Sequence, residues 1–141
     1  MFAQLETDLH ALLDGAVPGV TLHGTLDPLP EIGQSGTRPI FLRTEWGGAP
    51  ITARTTDAAQ VEQRFAVSLY VAGARASESD RTAALAGLTE ILRRLIGWQP
   101  TGEHSQVEFD AGAPPDEFGG VWRYSINITI PSVTLRVQPQ E

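Results

Sequence analysis

Three histidines are the first residues in this chain that could do chemistry. His10 has Glu6 one helical turn before it, which makes an i,i+4 pair and nothing larger. His23 stands in a strand-like run, and His104 follows Glu103 in a turn. No HxxxH, HxH or His-carboxylate box joins them, so they compose no metal-ligand set. Gly33-Gln34-Ser35-Gly36-Thr37 has the outline of a nucleophile elbow, but its second glycine falls one residue early and no apolar strand leads into it. Asp110, Asp116 and Glu117 are hard-cation donors, yet two prolines break the alternation that a Ca²⁺ loop needs. Gly47-Gly48 and Gly119-Gly120 follow no phosphate-binding pattern, and Asn127-Ile128-Thr129 is a glycosylation sequon inside a strand. The chain has no cysteine, and all ten of its basic residues are arginine. That removes disulfides, thiolate ligands, thiol nucleophiles, the phosphate-loop lysine and Schiff-base chemistry together. The expectation is a protein with no catalytic residue, no metal and no cofactor.

What remains is a chain of 141 residues, 41% hydrophobic and 19% charged, the size and composition of one globular domain spanning 1–141. No apolar run is long enough to cross a bilayer. The N-terminal MFAQLETDLHALLDG carries acids where a signal peptide has bases, so a cytoplasmic product with no membrane partner is expected. The formal charge of -7 repels nucleic acid unless the charges segregate, and no arginine cluster exceeds Arg93-Arg94. A sequence-specific DNA reader is excluded on that ground.

The elements that would position any site centre on 77–98. Ala84, Leu85, Leu88, Ile91, Leu92, Leu95 and Ile96 recur at helical spacing and predict an amphipathic helix lying on a sheet. Ser77 and Asp80 have capping-box spacing, Arg93 and Arg94 suit the helix C-terminus, and Gly97 and Pro100 end it. Residues 2–14 read as a first helix through Phe2, Leu5, Leu9, Leu12 and Leu13. Strands are predicted over 20–26, 40–46, 64–72, 106–110 and 121–130. In the last of these Trp122, Tyr124, Ile126, Ile128 and Ile130 alternate with polar residues. Trp98 and Trp122 read as core residues. Residues 27–39 and 111–120 are loops, and 51–63 suits the outer half of a long hairpin. Past Pro131, which interrupts the last strand, a flexible tail is expected from about 132, with at most a brief resumption of the strand before it frays. The fold class is α/β of the α+β kind: a single domain with a mixed or mainly antiparallel sheet and two helices packed on one face.

Contact residues are sought where the pattern leaves side chains without a core. Trp46, before Gly47-Gly48, is the residue type that anchors interfaces, and Ile51, Arg54 and Arg64 flank the polar segment 46–63. Such a long segment between paired strands is usually functional. Ala83, Ala86 and Gly87 form a small-residue patch opposite the helix leucines. A mid-helix glycine costs about 1 kcal/mol relative to alanine, so Gly87 suits either close approach of another backbone or an inert surface.

The order helix, strand, loop, strand, RFAVSLYVA, long helix ending LRRLIGWQP, short strand, acidic loop and VWRYSINITI is similar to the tail terminator proteins of long-tailed bacteriophages. Gly97-Trp98-Gln99-Pro100, Val107-Glu108-Phe109 and Trp122-Arg123-Tyr124 carry the likeness, which is best over 64–130. The resemblance implies a non-enzymatic tail-completion protein of the virion, assembled in the host cytoplasm. Its subunits would form a homohexamer ring that caps the tail tube at its head-proximal end, stops polymerisation and gives a head-tail joining surface. The implied partners are its own copies, the tail tube protein and a head-completion or neck protein, with DNA only passing through an acidic lumen. A neck adaptor of the same particle is the alternative. A small enzyme or ligand-binding module is a further one, for which a deep pocket lined by histidine and carboxylates would be the sign.

Overall fold

The computed structural model of the protein describes residues 2–20, 22–27, 40–72, 77–100, 107–110 and 114–136. Its elements are α1 (Phe2–Leu13), β1 (Leu22–His23), β2 (Ile40–Gly48), β3 (Ile51–Arg54), β4 (Ala58–Ala72), α2 (Glu78–Leu95), β5 (Glu108–Phe109), β6 (Asp116–Phe118) and β7 (Val121–Arg136). The sheet runs β1-β2-β4-β7-β5, with β3 added to β4 and β6 to β7. All pairs are antiparallel except β1 with β2. This is the expected α+β class with a mixed sheet.

β4 and β7, of 15 and 16 residues, are the longest strands and pair along their whole length, from Ala58↔Arg136 to Ala72↔Val121. At about 3.4 Å per residue each reaches about 50 Å, far beyond the helices. Their alternation sets the core. Phe65, Val67, Leu69 and Val71 of β4 face the helices with Ile40 and Leu42 of β2 and Ile128 and Ile130 of β7. Leu5, Leu9 and Leu13 of α1 and Ile91 and Leu95 of α2 close over them.

α2 begins as its sequence predicts. Ser77 Oγ accepts from the Asp80 backbone N–H, and the Asp80 carboxylate accepts in return from the Ser77 N–H, completing the capping box with Asp in place of Glu. Its buried face is rotated from the predicted one. Ala84, Gly87, Ile91 and Leu95 are buried, whereas Leu85, Leu92 and Ile96 are 59%, 40% and 67% exposed. The cause lies at Gly87. A Cβ there would come within 2.6 Å of Val17 Cγ2, so the glycine lets the turn after α1 nest against α2. That contact brings the Ala84 and Gly87 side of the helix inward, while Ala83 and Ala86 stay exposed. Arg94 also serves a neighbour, donating from Nη1 to the Leu12 and Asp14 carbonyls at 3.2 and 2.7 Å and satisfying the C-terminus of α1.

Three strand expectations are corrected. The strand over 20–26 shortens to Leu22–His23. The fourth strand begins at Ala58, because 51–54 and 58–64 form the outer half of the predicted hairpin. The last strand does not stop at Pro131 but pairs on to Arg136. One extra residue of β7 lies between the pairs Gln63↔Ile130 and Val61↔Val133, and Pro131 falls in this bulge, where its missing N–H breaks no regular ladder. Trp122, expected in the core, is 40% exposed at the first turn of β7, while Trp98 packs on the core's margin.

Candidate functional site

Of the residues singled out for contact, Ile51 and Arg54 lie on the three-stranded arm made by β3, the outer half of β4 and the end of β7, and Trp46 and Arg64 stand at its base. Antiparallel alternation decides which side each presents. Trp46 pairs with Phe65 and Ile51 with Val61, so both lie on the helix side of the sheet. Arg54 pairs with Ala59 and shares that side. Trp46 and Ile51 are 40% and 59% exposed, an aromatic and a branched aliphatic side chain at the rim of the core. Arg64 lies on the opposite face, loosely paired with Glu62 at 4.0 Å and with most of its side chain in water. Ala83 is exposed on α2, apart from the arm. Gly87 is corrected: it is buried within the subunit against Val17, so its small size is used inside the fold.

The row Trp46–Phe65–Ile128–Phe109 crosses the sheet on the helix side, with its two ends half-exposed and its middle buried. Beneath it Gln63 faces Ile130, and both are wholly buried. Neither amide atom of Gln63 has a hydrogen-bond partner. At the tip, the Thr55 N–H donates to the Ala58 carbonyl at 2.8 Å, closing the hairpin around Asp57.

A polar network that the sequence left unseen locks the base of β2. Glu6 of α1 accepts from the Thr25 backbone N–H at 2.7 Å and from its hydroxyl at 2.9 Å. The Thr25 hydroxyl in turn accepts from the Trp46 N–H at 2.9 Å, which fixes the backbone beneath the exposed indole. Arg43 donates to the carbonyls of Gly24, Thr25 and Asp27. His10 Nε2 lies 2.6 Å from the Thr44 hydroxyl and 3.6 Å from Glu6. A hydroxyl, an imidazole and a carboxylate therefore meet, but both partners reach the same ring nitrogen, so no proton can be relayed across the ring. Thr44 is wholly buried, and the arrangement joins α1 to the sheet rather than presenting a nucleophile. Only the Glu6–His10 spacing hinted at it.

On the opposite face Tyr70 donates to Glu45 at 2.7 Å, and Asp116 of β6 pairs with Arg123 of β7. Burial first, then the Glu45 carboxylate, push the Tyr70 phenol above its ordinary range, with Arg123 opposing. A polar hollow of about 240 Å³ lies here, lined by Ser68, Ser125 and Asn127 as well as these charges. An open cleft of about 600 Å³ runs beside His10 and Asp14 on the other side of the chain. Among the described residues no three histidines or carboxylates gather into a metal-binding group, and no helix is long and apolar enough to cross a membrane. Asp110, Asp116 and Glu117 are spread over different partners. Asp110 accepts from Thr129, Asp116 from Arg123, and Glu117 from the Gly120 N–H. Ser35 and His104 lie outside the described residues.

Comparison with known proteins identifies the family and supports the fold. The family model described as phage tail terminator protein matches residues 41–127, well over half of the chain and including β2, β3 and β4. Among solved structures, a chain of the virion of a native gene transfer agent particle is similar in fold. It has a TM-score of 0.51 and 17% sequence identity, over 93% of this chain and 90% of that one. No curated protein matches the sequence.

Proposed function

The chain belongs to the phage tail terminator protein family, a family of structural phage proteins and not of enzymes, and from that premise we propose that it is the ring-forming subunit that caps the tail tube. In this reading copies of the chain, six to a ring, close on the head-proximal end of the tube, stop its growth and offer the head-joining surface. The observation that carries it is the arm. β4 and β7 pair over 15 and 16 residues, far longer than the other strands, and Trp46 and Ile51 stand half in water at the arm's base. Exposed aromatic and branched side chains on a rigid backbone are the makings of an interface centre. Arg54 and Arg64 add forked donors for a partner's carboxylates on either face, and Ala83 on α2 is a secondary contact. The acidic balance suits a lumen through which DNA passes without sticking.

Deleting the gene and imaging the particles tests the reading. Overlong or headless tails are expected, restored by the wild-type chain and not by one carrying Trp46→Ala with Ile51→Ser, whose fold is checked by circular dichroism. Normal tails joined to heads in the deletion would overturn it.

A further inference from the structure

Among the described residues the arm has an unpaired sheet edge on each side. There β3 pairs with β4 alone, and all four of its residues are exposed. On the far side β5 pairs only as far as Thr129, so among the described residues the stretch 130–136 of β7 has β4 as its single neighbour. β3 and β7 both run antiparallel to β4 and are therefore parallel to each other.

We propose that these two edges pair with each other between copies. β3 of one subunit adds in parallel to the end of β7 in the next, and the three-stranded arms join into one continuous closed sheet. The inference rests on the ring reading above and specifies its joint.

Four observations carry it. An unpaired edge is a row of bare N–H and C=O groups that recruits another strand. Neither Ile51–Arg54 nor 132–136 contains a proline, which would take a donor out of that row. The two edges match in length, four residues against five, and Ile51, Thr52, Val133 and Thr134 are of the branched types that strands favour. A cyclic ring must join two different surfaces in unchanged orientation, and a parallel β3–β7 joint does so. Pairing of like edges would instead be two-fold and would leave the other edge bare. Finally, register shifts fall at Trp46/Gly48, Ile51/Ala53 and Val61/Gln63, all at or near the base of the arm. Bulges bend and twist a sheet, which closure into a ring requires.

The cysteine-free chain makes the test clean. Ala53, Gln60 and Thr134 stand in one row, so Ala53 and Thr134 of one copy are two strand spacings apart, about 9.5 Å. A disulfide cannot span Cα atoms more than about 7 Å apart, so any bridge between them joins two copies. Ala53→Cys is combined in turn with Ser132→Cys, Thr134→Cys and Arg136→Cys to sample the register. Each single variant is first checked for complete tails. Purified tails are oxidised and run on a denaturing gel without reductant. The expected result is a ladder rising to the ring-sized band for at least one pair, with the single variants remaining monomers. Dimers from Ala53→Cys alone would place like edges together and overturn the proposal, as would monomers from all three pairs in tails whose images contain the ring. Where a pair fails to assemble, a reconstruction of wild-type tails decides: strand-spaced density between adjacent arms supports the joint, and a gap there overturns it. Tails with no ring of this protein would instead sink the capping reading itself.

Discussion

Replacing Gln63 with methionine should stabilise the isolated subunit. Gln63 is wholly buried on the helix side of β4, opposite Ile130 and flanked along the strand by Val61 and Phe65, and both atoms of its amide lack a partner. A buried polar group left unsatisfied costs about 1–3 kcal/mol, and methionine removes it while keeping an unbranched side chain of similar reach. With no cavity opened, that cost returns as stability of about 1–3 kcal/mol. For a chain of this size it corresponds to a rise in Tm of about 3–12 °C. Gln63→Ala is the control, because it removes the amide but empties the site. It should fall below the methionine variant by about 2–4 kcal/mol through the cavity. Urea unfolding followed by tryptophan fluorescence, together with a thermal scan, gives both differences, provided the slope against urea is unchanged. A methionine variant no more stable than wild type would refute the reasoning, since it would mean that the amide is satisfied in solution. If the variant is more stable yet fails to complete tails, the amide is held for assembly.

The rotated face of α2 makes a second prediction. Ile91→Ala should cost about 2–5 kcal/mol, whereas Leu92→Ala, one residue on and 40% exposed, should cost under about 1 kcal/mol. Equal losses in urea unfolding would restore the face predicted from spacing alone. Tyr70 gives a pH dependence. Its folded pKa lies above the unfolded value near 10, so its contribution is fully present below about pH 10 and is lost as pH rises through the folded value. Tyr70→Phe should flatten this alkaline loss between pH 9 and 11, a window in which a chain with no lysine or cysteine has little else to titrate. Identical slopes for the two proteins would remove Tyr70 as the cause.

How much could be read in advance depended on how locally each feature is determined. The capping box of α2 involves two residues three apart and was legible in full. The alternation of β7 fixed its inner face at Ile128 and Ile130, and the long hairpin around 55–57 was legible as a polar stretch between strands. The buried face of α2 was not, because Gly87 acquires its meaning from Val17, seventy residues earlier, and a hydrophobicity pattern ranks a glycine below Leu85 or Leu92. Pro131 misled for a similar reason. A proline ends a strand unless a bulge lies in its place, and the bulge is a property of the pairing with 61–63, not of the local sequence. Nor does spacing reveal that Glu6, Thr25, Arg43 and Thr44 would meet at the base of β2.

On the proposed joint, the same argument accounts for the lack of a functional motif in the chain. Catalysis and metal binding need particular side-chain atoms at particular distances, so they constrain residue types and leave a signature. Strand addition uses main-chain N–H and C=O groups, which every residue except proline supplies, and side chains enter chiefly by not blocking the edge. In β3 and the end of β7 the chain shows this kind of permissiveness: branched residues, no proline within 51–54 or 132–136, and Pro131 placed in a bulge. Trp46 and Ile51 could be named as candidate contacts because an anchor must be large and apolar, and both are half-exposed. The edges beside them could be seen only once β5 was found to stop at Thr129 and β3 to lie outermost on β4. A surface built from backbone is specified by topology, and its absence from the pattern of residue types is the expected consequence.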